Sequence, residues 1–355
     1  MTGLAAHLAA RIAATGPITL AEYMAAALGH PVYGYYATRD PLGVAGDFTT
    51  APEISQMFGE MLGLSLAQAW LDQGAPAPFV LAEAGPGRGT LMADLLRATR
   101  AVPGFLDAAQ LHLIETSPVL RARQAEALGA GTWHDSVATL PDAPLFLVAN
   151  EFFDALPIRQ FRRETSGWSE RMVGLDGKGA LTFGWSPPAP LADLADRLSD
   201  TSPGDIVEIS LPARGIAGEI AARIATRGGA ALIVDYGDWQ SLGDTLQALS
   251  SHERADPLAD PGNADLTAHV DFAAIARAAV AAGAAHSRLT PQGVFLERLG
   301  ITERARALAQ GLSGPALEAH IAAHRRLTHP EEMGNLFKIM SLHPPESAPP
   351  PGLAR

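Results

Sequence analysis

The chain predicts an α/β fold built on a largely parallel sheet, and three observations carry that reading. A short apolar run, Phe79-Val-Leu-Ala-Glu83-Ala, passes through Gly85-Pro-Gly87-Arg-Gly89-Thr90 into Leu91, Leu95 and Leu96 at helical spacing. Further apolar runs of the same kind recur at Leu111–Glu115, Pro144–Asn150 and Ala230–Asp235. A hydrophobic content of 47% over 355 residues is enough for one large α/β domain with additions, or for two modest domains. Strand, glycine turn and helix together read as the opening unit of a cofactor-binding sheet, or as a strand-to-helix turn that holds no ligand. Glycine there permits positive-φ turns and lets a ligand lie on bare backbone. The free amides that open the following helix favour an electron-rich group of that ligand.

Taken in order, residues 4–14 carry a helical pattern, and Thr19-Leu-Ala-Glu22 matches a capping box for a second helix to Leu28. His30-Pro-Val-Tyr33-Gly-Tyr35-Tyr36 is an aromatic turn. Thr50 and Glu53 fit another capping box with Pro52 in the first turn, opening a long amphipathic helix through Trp70. Capping accounts for Thr50, Pro52 and Glu53 without any ligand. It does not account for Gly46-Asp47-Phe48, a glycine hinge beside a carboxylate and an aromatic, which reads equally as a ligand-facing lid or a plain loop.

Glu115 ends the second parallel strand, where an acidic residue accepts hydrogen bonds from both ribose hydroxyls of a nucleotide. It lies further on than the roughly 20 residues usual for that feature, and the Pro103-Gly104 loop accounts for the excess; a solvated strand-end carboxylate is the other reading. Ser117-Pro118 starts a helix to Ala127. At Trp133-His134-Asp135 the loop after the third strand flanks an adenine in such folds: Trp133 either stacks there or is core, and Asp135 is placed to accept from the exocyclic amine.

The fourth strand runs into Asn150-Glu151-Phe152-Phe153-Asp154-Ala-Leu-Pro157 at the sheet's carboxyl edge, beside the glycine turn. Glu151 and Asp154 share a face if this turn is helical. They then bind a cationic group, or they complement the helix dipole with Asn150 as N-cap.

Beyond it, residues 158–190 read as an antiparallel β-meander with Thr-Ser-Gly and Asp-Gly-Lys-Gly turns. Ile206–Ser210 is a strand, Pro212–Arg227 a helix, and residues 238–267 an ordered loop. His252, Asp256, Asp260, Asp265, His269 and Asp271 fit no dedicated metal-site spacing. Helices follow at 270–282, 302–310 and 315–326, a short apolar stretch at Val294–Glu297, and a last strand at Leu336–Leu342; residues 344–355 read as a disordered tail. The domain plan is thus an N-terminal helical lid over 1–75 and a core over 76–343.

The net charge of −12 argues against general affinity for nucleic acid or anionic lipid. With no cysteine, thiol catalysis and Cys-based zinc sites are excluded. No apolar run is long enough to span a membrane, and the N-terminus lacks a signal peptide's layout, which together predict a cytoplasmic protein. The oligomeric state is not legible; a homodimer is compatible with the chain.

Gly85, Gly87 and Gly89 read G-x-G-x-G, unlike the dinucleotide G-x-G-x-x-G. With Glu83 ahead, this segment resembles the first motif of class I S-adenosylmethionine methyltransferases, a Rossmann-like sheet. The wider resemblance is to the MidA-like family, whose mitochondrial relatives are assembly factors for respiratory complex I. It runs from Tyr33-Gly-Tyr35-Tyr36 to Leu336-Phe-Lys-Ile-Met340, and rests on Gly46–Gln56 with Phe58-Gly-Glu60, Glu83–Thr90 and Asn150–Pro157. Val234-Asp-Tyr-Gly237, Asp265–Asp271 and Thr290-Pro-Gln-Gly293 add to it. Thr49-Thr50-Ala51 departs mildly from the family's Tyr-Thr-Ser.

The resemblance implies a protein arginine methyltransferase using S-adenosylmethionine and no metal, with symmetric dimethylarginine as product and a complex I peripheral-arm subunit or its counterpart as partner. On this reading Glu83, Gly85, Gly87, Gly89, Glu115 and Asp135 hold the cofactor, and Asp47 with Thr50 closes over it. Glu151 and Asp154 act on the acceptor, with Asn150 positioning it. A non-catalytic cofactor-binding assembly factor, a nicotinamide enzyme, and a methyltransferase for another acceptor stay open.

Overall fold

The computed structural model describes residues 3–38, 50–250 and 253–355. The chain forms two compact units, one of Leu42–Phe153, Arg214–Trp239 and Phe272–Arg355, the other of Met1–Pro41, Asp154–Ala213 and Gln240–Asp271.

The first unit carries the parallel sheet. Its strands are β1 (Phe79–Ala84), β2 (Ala109–Ile114), β3 (Thr132–His134), β4 (Leu145–Asn150), β5 (Gly229–Asp238) and β6 (Phe337–His343). They lie in the order β6-β5-β4-β1-β2-β3, and β6 alone among these is antiparallel to its neighbour. Every residue of β1 and β4 is buried, which is why both read as unbroken apolar runs rather than alternating ones. From β1 the chain steps outward to β2 and β3, then returns to β4 on the other side of β1. The carboxyl ends of β1 and β4 therefore sit side by side, with Ala84 opposite Ala149, at the switch point where such sheets open a crevice.

Three helices frame that crevice: α1 (Ala51–Ile54), α2 (Gln56–Asp72) and α3 (Thr90–Thr99). The single helix expected from Thr50 is broken at Ser55, whose hydroxyl caps α2 by accepting from the Met57 amide. Thr50 makes no side-chain cap at all. Two glycines of α2 let it press on α3: a Cβ on Gly59 would lie 2.8 Å from Asp94 Cβ and 2.9 Å from the Leu91 carbonyl, and one on Gly63 would lie 2.8 Å from Leu95 Cγ.

Residues 344–355 differ from the disordered tail expected of their composition. Ser65 Oγ donates to the Pro351 carbonyl (2.8 Å), the Arg288 amide donates to Ala354 (2.8 Å), and Leu353 packs on the core. Val294–Glu297 also differs, lying within the helix Gln292–Arg298.

The second unit holds the meander. Arg159–Glu164, Gly167–Leu175 and Leu181–Trp185 pair antiparallel through the predicted turns. Ile206–Ile209 extends the sheet beyond Arg159–Glu164, and Ile18–Thr19 joins beside Gly167–Leu175. The helices Gly3–Thr15 and Leu20–Gly29 bury Leu4, Leu8, Tyr23 and Met24 with Ile158 and Val173, and the second carries the predicted Thr19–Glu22 capping box. These helices therefore do not form one lid region with α2, which belongs to the parallel-sheet unit. The expected loop contains a small sheet of Gln247–Ser250, Glu253–Arg254 and Asp265–Thr267.

Candidate active site

The site grows from the end of β1. Gly85, Gly87 and Gly89 take φ of 66°, 54° and 84°, the left-handed region that glycine enters without a steric cost. A Cβ on Gly85 would stand 3.0 Å from the Phe152 ring. Gly89 precedes α3 and offers no side-chain cap, so, ahead of Met92, the helix opens with amides available to an anionic group.

Glu83 is 2% exposed. Burial pushes its carboxyl up to about 8, against the opposing pull of the Met92 amide, which donates to it. Its Oε2 is buried with no hydrogen-bond partner among the described residues. A bare buried oxygen costs free energy unless something binds it.

Around these residues lies a solvent-open cleft lined by Thr50, Pro52, Glu53, Glu83, Gly85, Pro86, Gly87, Arg88, Thr90, Leu91, Asn150 and Glu151. Asn150 ends β4; its Nδ2 donates to Glu151 Oε1 (3.3 Å), and its buried Oδ1 has no partner among the described residues. The Ala51 amide donates to the same Glu151 oxygen (3.3 Å). Glu151 takes φ of 50°, a conformation costing a non-glycine residue about 1–2 kcal/mol. It is held from both sides: its amide donates to Val234 (2.9 Å), and the Phe153 amide donates to the fully buried Asp235 (3.0 Å).

Several expectations change here. Residues after Asn150 form turns and no helix, so Asn150 is not an N-cap and the shared helical face of Glu151 and Asp154 does not form. Asp154 belongs to the second unit, where its carbonyl accepts from Ala268 (3.0 Å). Burial, then the Asp265 and Asp154 charges, keep the Tyr36 phenol well above its ordinary range there. Asp47 lies outside the described residues.

Glu115 stands past the end of β2, 8% exposed, and does not line the cleft. The Ser117 amide (2.7 Å) and Gln124 Nε2 (3.3 Å) donate to its two oxygens, while burial outweighs them and raises its carboxyl. The same Gln124 amide donates to the Gly87 carbonyl (2.7 Å) and accepts from Trp133 Nε1 (2.7 Å). Trp133 thereby ties the glycine turn to β2 and β3, and its ring packs against the core. Asp135 is on the surface, its carboxylate taken by Arg121 (2.6 Å), away from the lining of the cleft.

Glu53, Arg88, Thr90 and Phe152 were not singled out from the sequence as site residues. Glu53 looked like a cap; in the structure its Oε1 accepts from Thr90 Oγ1 (2.6 Å). Behind the cleft Glu60 accepts from Arg97 (2.6 Å) and Arg304 (2.8 and 3.0 Å). Burial raises its carboxyl, and the two guanidiniums outweigh it and hold the group below its ordinary value.

Residues 61–290 match the model of a family of S-adenosyl-L-methionine-dependent methyltransferases, Methyltransf_28. The chain is 39% identical to the mitochondrial protein arginine methyltransferase NDUFAF7 of Danio rerio, over 95% of this chain and 86% of that one. It is 36% identical to the Homo sapiens protein of the same name, over 97% and 84%. A crystal structure of a COG1565 superfamily member from Burkholderia thailandensis, bound to S-adenosyl-homocysteine, superposes with a TM-score of 0.82 at 34% identity, over 96% of this chain and 91% of that one.

Proposed function

The chain belongs to this family of S-adenosylmethionine-dependent methyltransferases, and from that premise we propose that it methylates an arginine side chain of a protein. The observation that carries the proposal is the position of Glu151, a carboxylate fixed at the mouth of β4 in the cleft that also contains the glycine turn.

The residues present fit the cofactor. The glycine turn is a cradle that side chains would fill, the α3 amides are open to a carboxylate, and the bare oxygen of Glu83 awaits a cationic partner. Bound there, the cofactor supplies a methyl group on a sulfonium, open to in-line attack by a nitrogen lone pair. Glu83, Gly85 and Gly87 would hold its amino-acid end, and Glu115 is proposed to clasp the ribose.

An arginine brings a difficulty of its own. Freeing a lone pair on a group with a pKa above 12 costs roughly 7–9 kcal/mol at neutral pH. Glu151 meets this by pairing with the guanidinium, drawing its charge away from the attacking nitrogen and accepting the proton. Asn150 holds the carboxylate in place through its Nδ2. The left-handed backbone of Glu151 aims the side chain without needing a helical turn.

The finer reading keeps the family's expectations: symmetric dimethylarginine as product, with a respiratory complex I subunit or its counterpart as acceptor. It also keeps a cytoplasmic setting. Among the described residues no helix is long and apolar enough to cross a membrane.

The test compares arginine methylation, by mass spectrometry, in proteins from cells with and without the gene, then in vitro with the Glu151→Gln variant. Loss of one modified arginine in the first comparison, and loss of turnover with S-adenosyl-homocysteine affinity kept within a few-fold in the second, is expected. Full turnover by Glu151→Gln would remove Glu151 from the chemistry.

A further inference from the structure

The bond between Thr90 Oγ1 and Glu53 Oε1 (2.6 Å) has no part in the mechanism above. Thr90 is the first residue of α3, directly after the glycine turn, and Glu53 comes from α1; both line the cleft. Thr90 fixes one oxygen of Glu53 and leaves the other without a hydrogen-bond partner among the described residues. Glu83, on the same lining, presents its own bare oxygen from a side chain 2% exposed.

Two kinds of charge are thus called for in one place. The amides that open α3 ahead of Met92 attract an anion. The carboxylate of Glu53 attracts a cation, and the bare buried oxygen of Glu83 accepts best from a charged donor. A ligand carrying both charges on adjacent atoms is the zwitterionic end of an α-amino acid, and S-adenosylmethionine ends in one.

We propose that Glu53, oriented by Thr90, accepts the α-ammonium of the cofactor's methionine end alongside Glu83. The inference rests on the chain's being an S-adenosylmethionine-dependent methyltransferase and adds a residue to its cofactor site. Glu53 reaches the cleft from the segment before the sheet. The ligand thus bridges α1 and the glycine turn, and the same α1 supplies the Ala51 amide to Glu151.

Two ligands separate this role from others: S-adenosyl-homocysteine, which carries the amino-acid end, and methylthioadenosine, which lacks it. Both are titrated calorimetrically into wild type, Glu53→Gln and Thr90→Val. Glu53→Gln weakens S-adenosyl-homocysteine by about 10-fold or more, the scale of a hydrogen bond to a charged group, and leaves methylthioadenosine within about 2-fold. Thr90→Val moves the same ligand in the same direction by a smaller factor, and it decides the matter should Glu53→Gln not fold.

Unchanged S-adenosyl-homocysteine affinity in both variants overturns the proposal. So does equal weakening of both ligands, which makes Glu53 a residue of the fold, and so does a raised KM for the protein acceptor alone, which moves it to the other substrate. A wild-type protein that binds neither ligand overturns the cofactor premise itself, before any variant is made.

Discussion

Glu83 makes the ligand-free protein's stability depend on pH in an unusual direction. Its carboxyl titrates at about 8 in the folded chain, against an ordinary value of 4.5. Below 4.5 both folded and unfolded chains hold the proton, and the group contributes nothing. Between the two values the folded chain still holds the proton that the unfolded chain has lost, so stability falls as pH rises. Above about 8 the loss is complete. One proton is worth about 1.4 kcal/mol per pH unit, which makes the whole window worth roughly 3–6 kcal/mol.

Glu83→Gln keeps a neutral group at every pH and removes this slope. The assay is thermal unfolding of both ligand-free proteins from about pH 5 to about pH 8. Relative to the variant, wild type should lose several degrees of Tm across that range, at roughly 2 °C per kcal/mol for a chain this long. Binding of S-adenosyl-homocysteine should oppose the slope, since a cation beside Glu83 favours its charged form. Calorimetry in buffers of different ionisation enthalpy should then detect a proton released by wild type near pH 7 and none by the variant. Parallel Tm profiles for the two proteins would show that Glu83 does not titrate in this window and refute the reasoning.

Glu115→Ala should weaken S-adenosyl-homocysteine by about 1.5–3 kcal/mol; an unchanged calorimetric Kd takes Glu115 out of the cofactor site. Gly59→Val places a side chain whose Cβ would lie 2.9 Å from the Leu91 carbonyl, and should cost about 1–3 kcal/mol of stability by forcing α2 from α3. A Tm equal to wild type would mean the helices part freely. Glu60→Gln should cost about 1–3 kcal/mol above neutral pH, a range kept low because Arg97 and Arg304 both reach water. Glu60's carboxyl is held below 4.5, so this contribution is present above 4.5 and lost as the pH falls through the folded value. Unfolding profiles of variant and wild type should therefore converge in acid, and a gap that stays constant would assign the effect to packing.

The glycine-turn half of the candidate site is legible in the sequence because its determinants are local. Glu83, the three glycines and the α3 amides lie within one strand-turn-helix unit, and the burial of β1 on both faces leaves an unbroken apolar signature. The placing of Asn150 and Glu151 beside that unit followed from strand order alone. What escaped depends on long-range contacts that short patterns imitate. Thr50 and Glu53 have the spacing of a capping box, yet Glu53 turns to Thr90, 37 positions on. Asn150 and Asp154 were read through a helical turn, and no pattern marks Glu151 as a non-glycine residue at positive φ. Ile18–Thr19 finds its partner strand at Met172 and Val173, a pairing invisible to any local window. The proline-rich tail hid Leu353, whose single apolar side chain is packed on the core.

The antiparallel pairing of β6 with β5 also bears on how the protein is made. β5 registers against β6 from Ala231 opposite Leu342 to Tyr236 opposite Phe337, so an interior strand waits for a segment made well after it. Until Phe337–His343 is available, β5 presents an apolar, unpaired margin, the kind of template on which nascent chains cross-associate. Truncations that stop before Phe337 should accumulate as aggregates or chaperone clients rather than as smaller soluble enzymes.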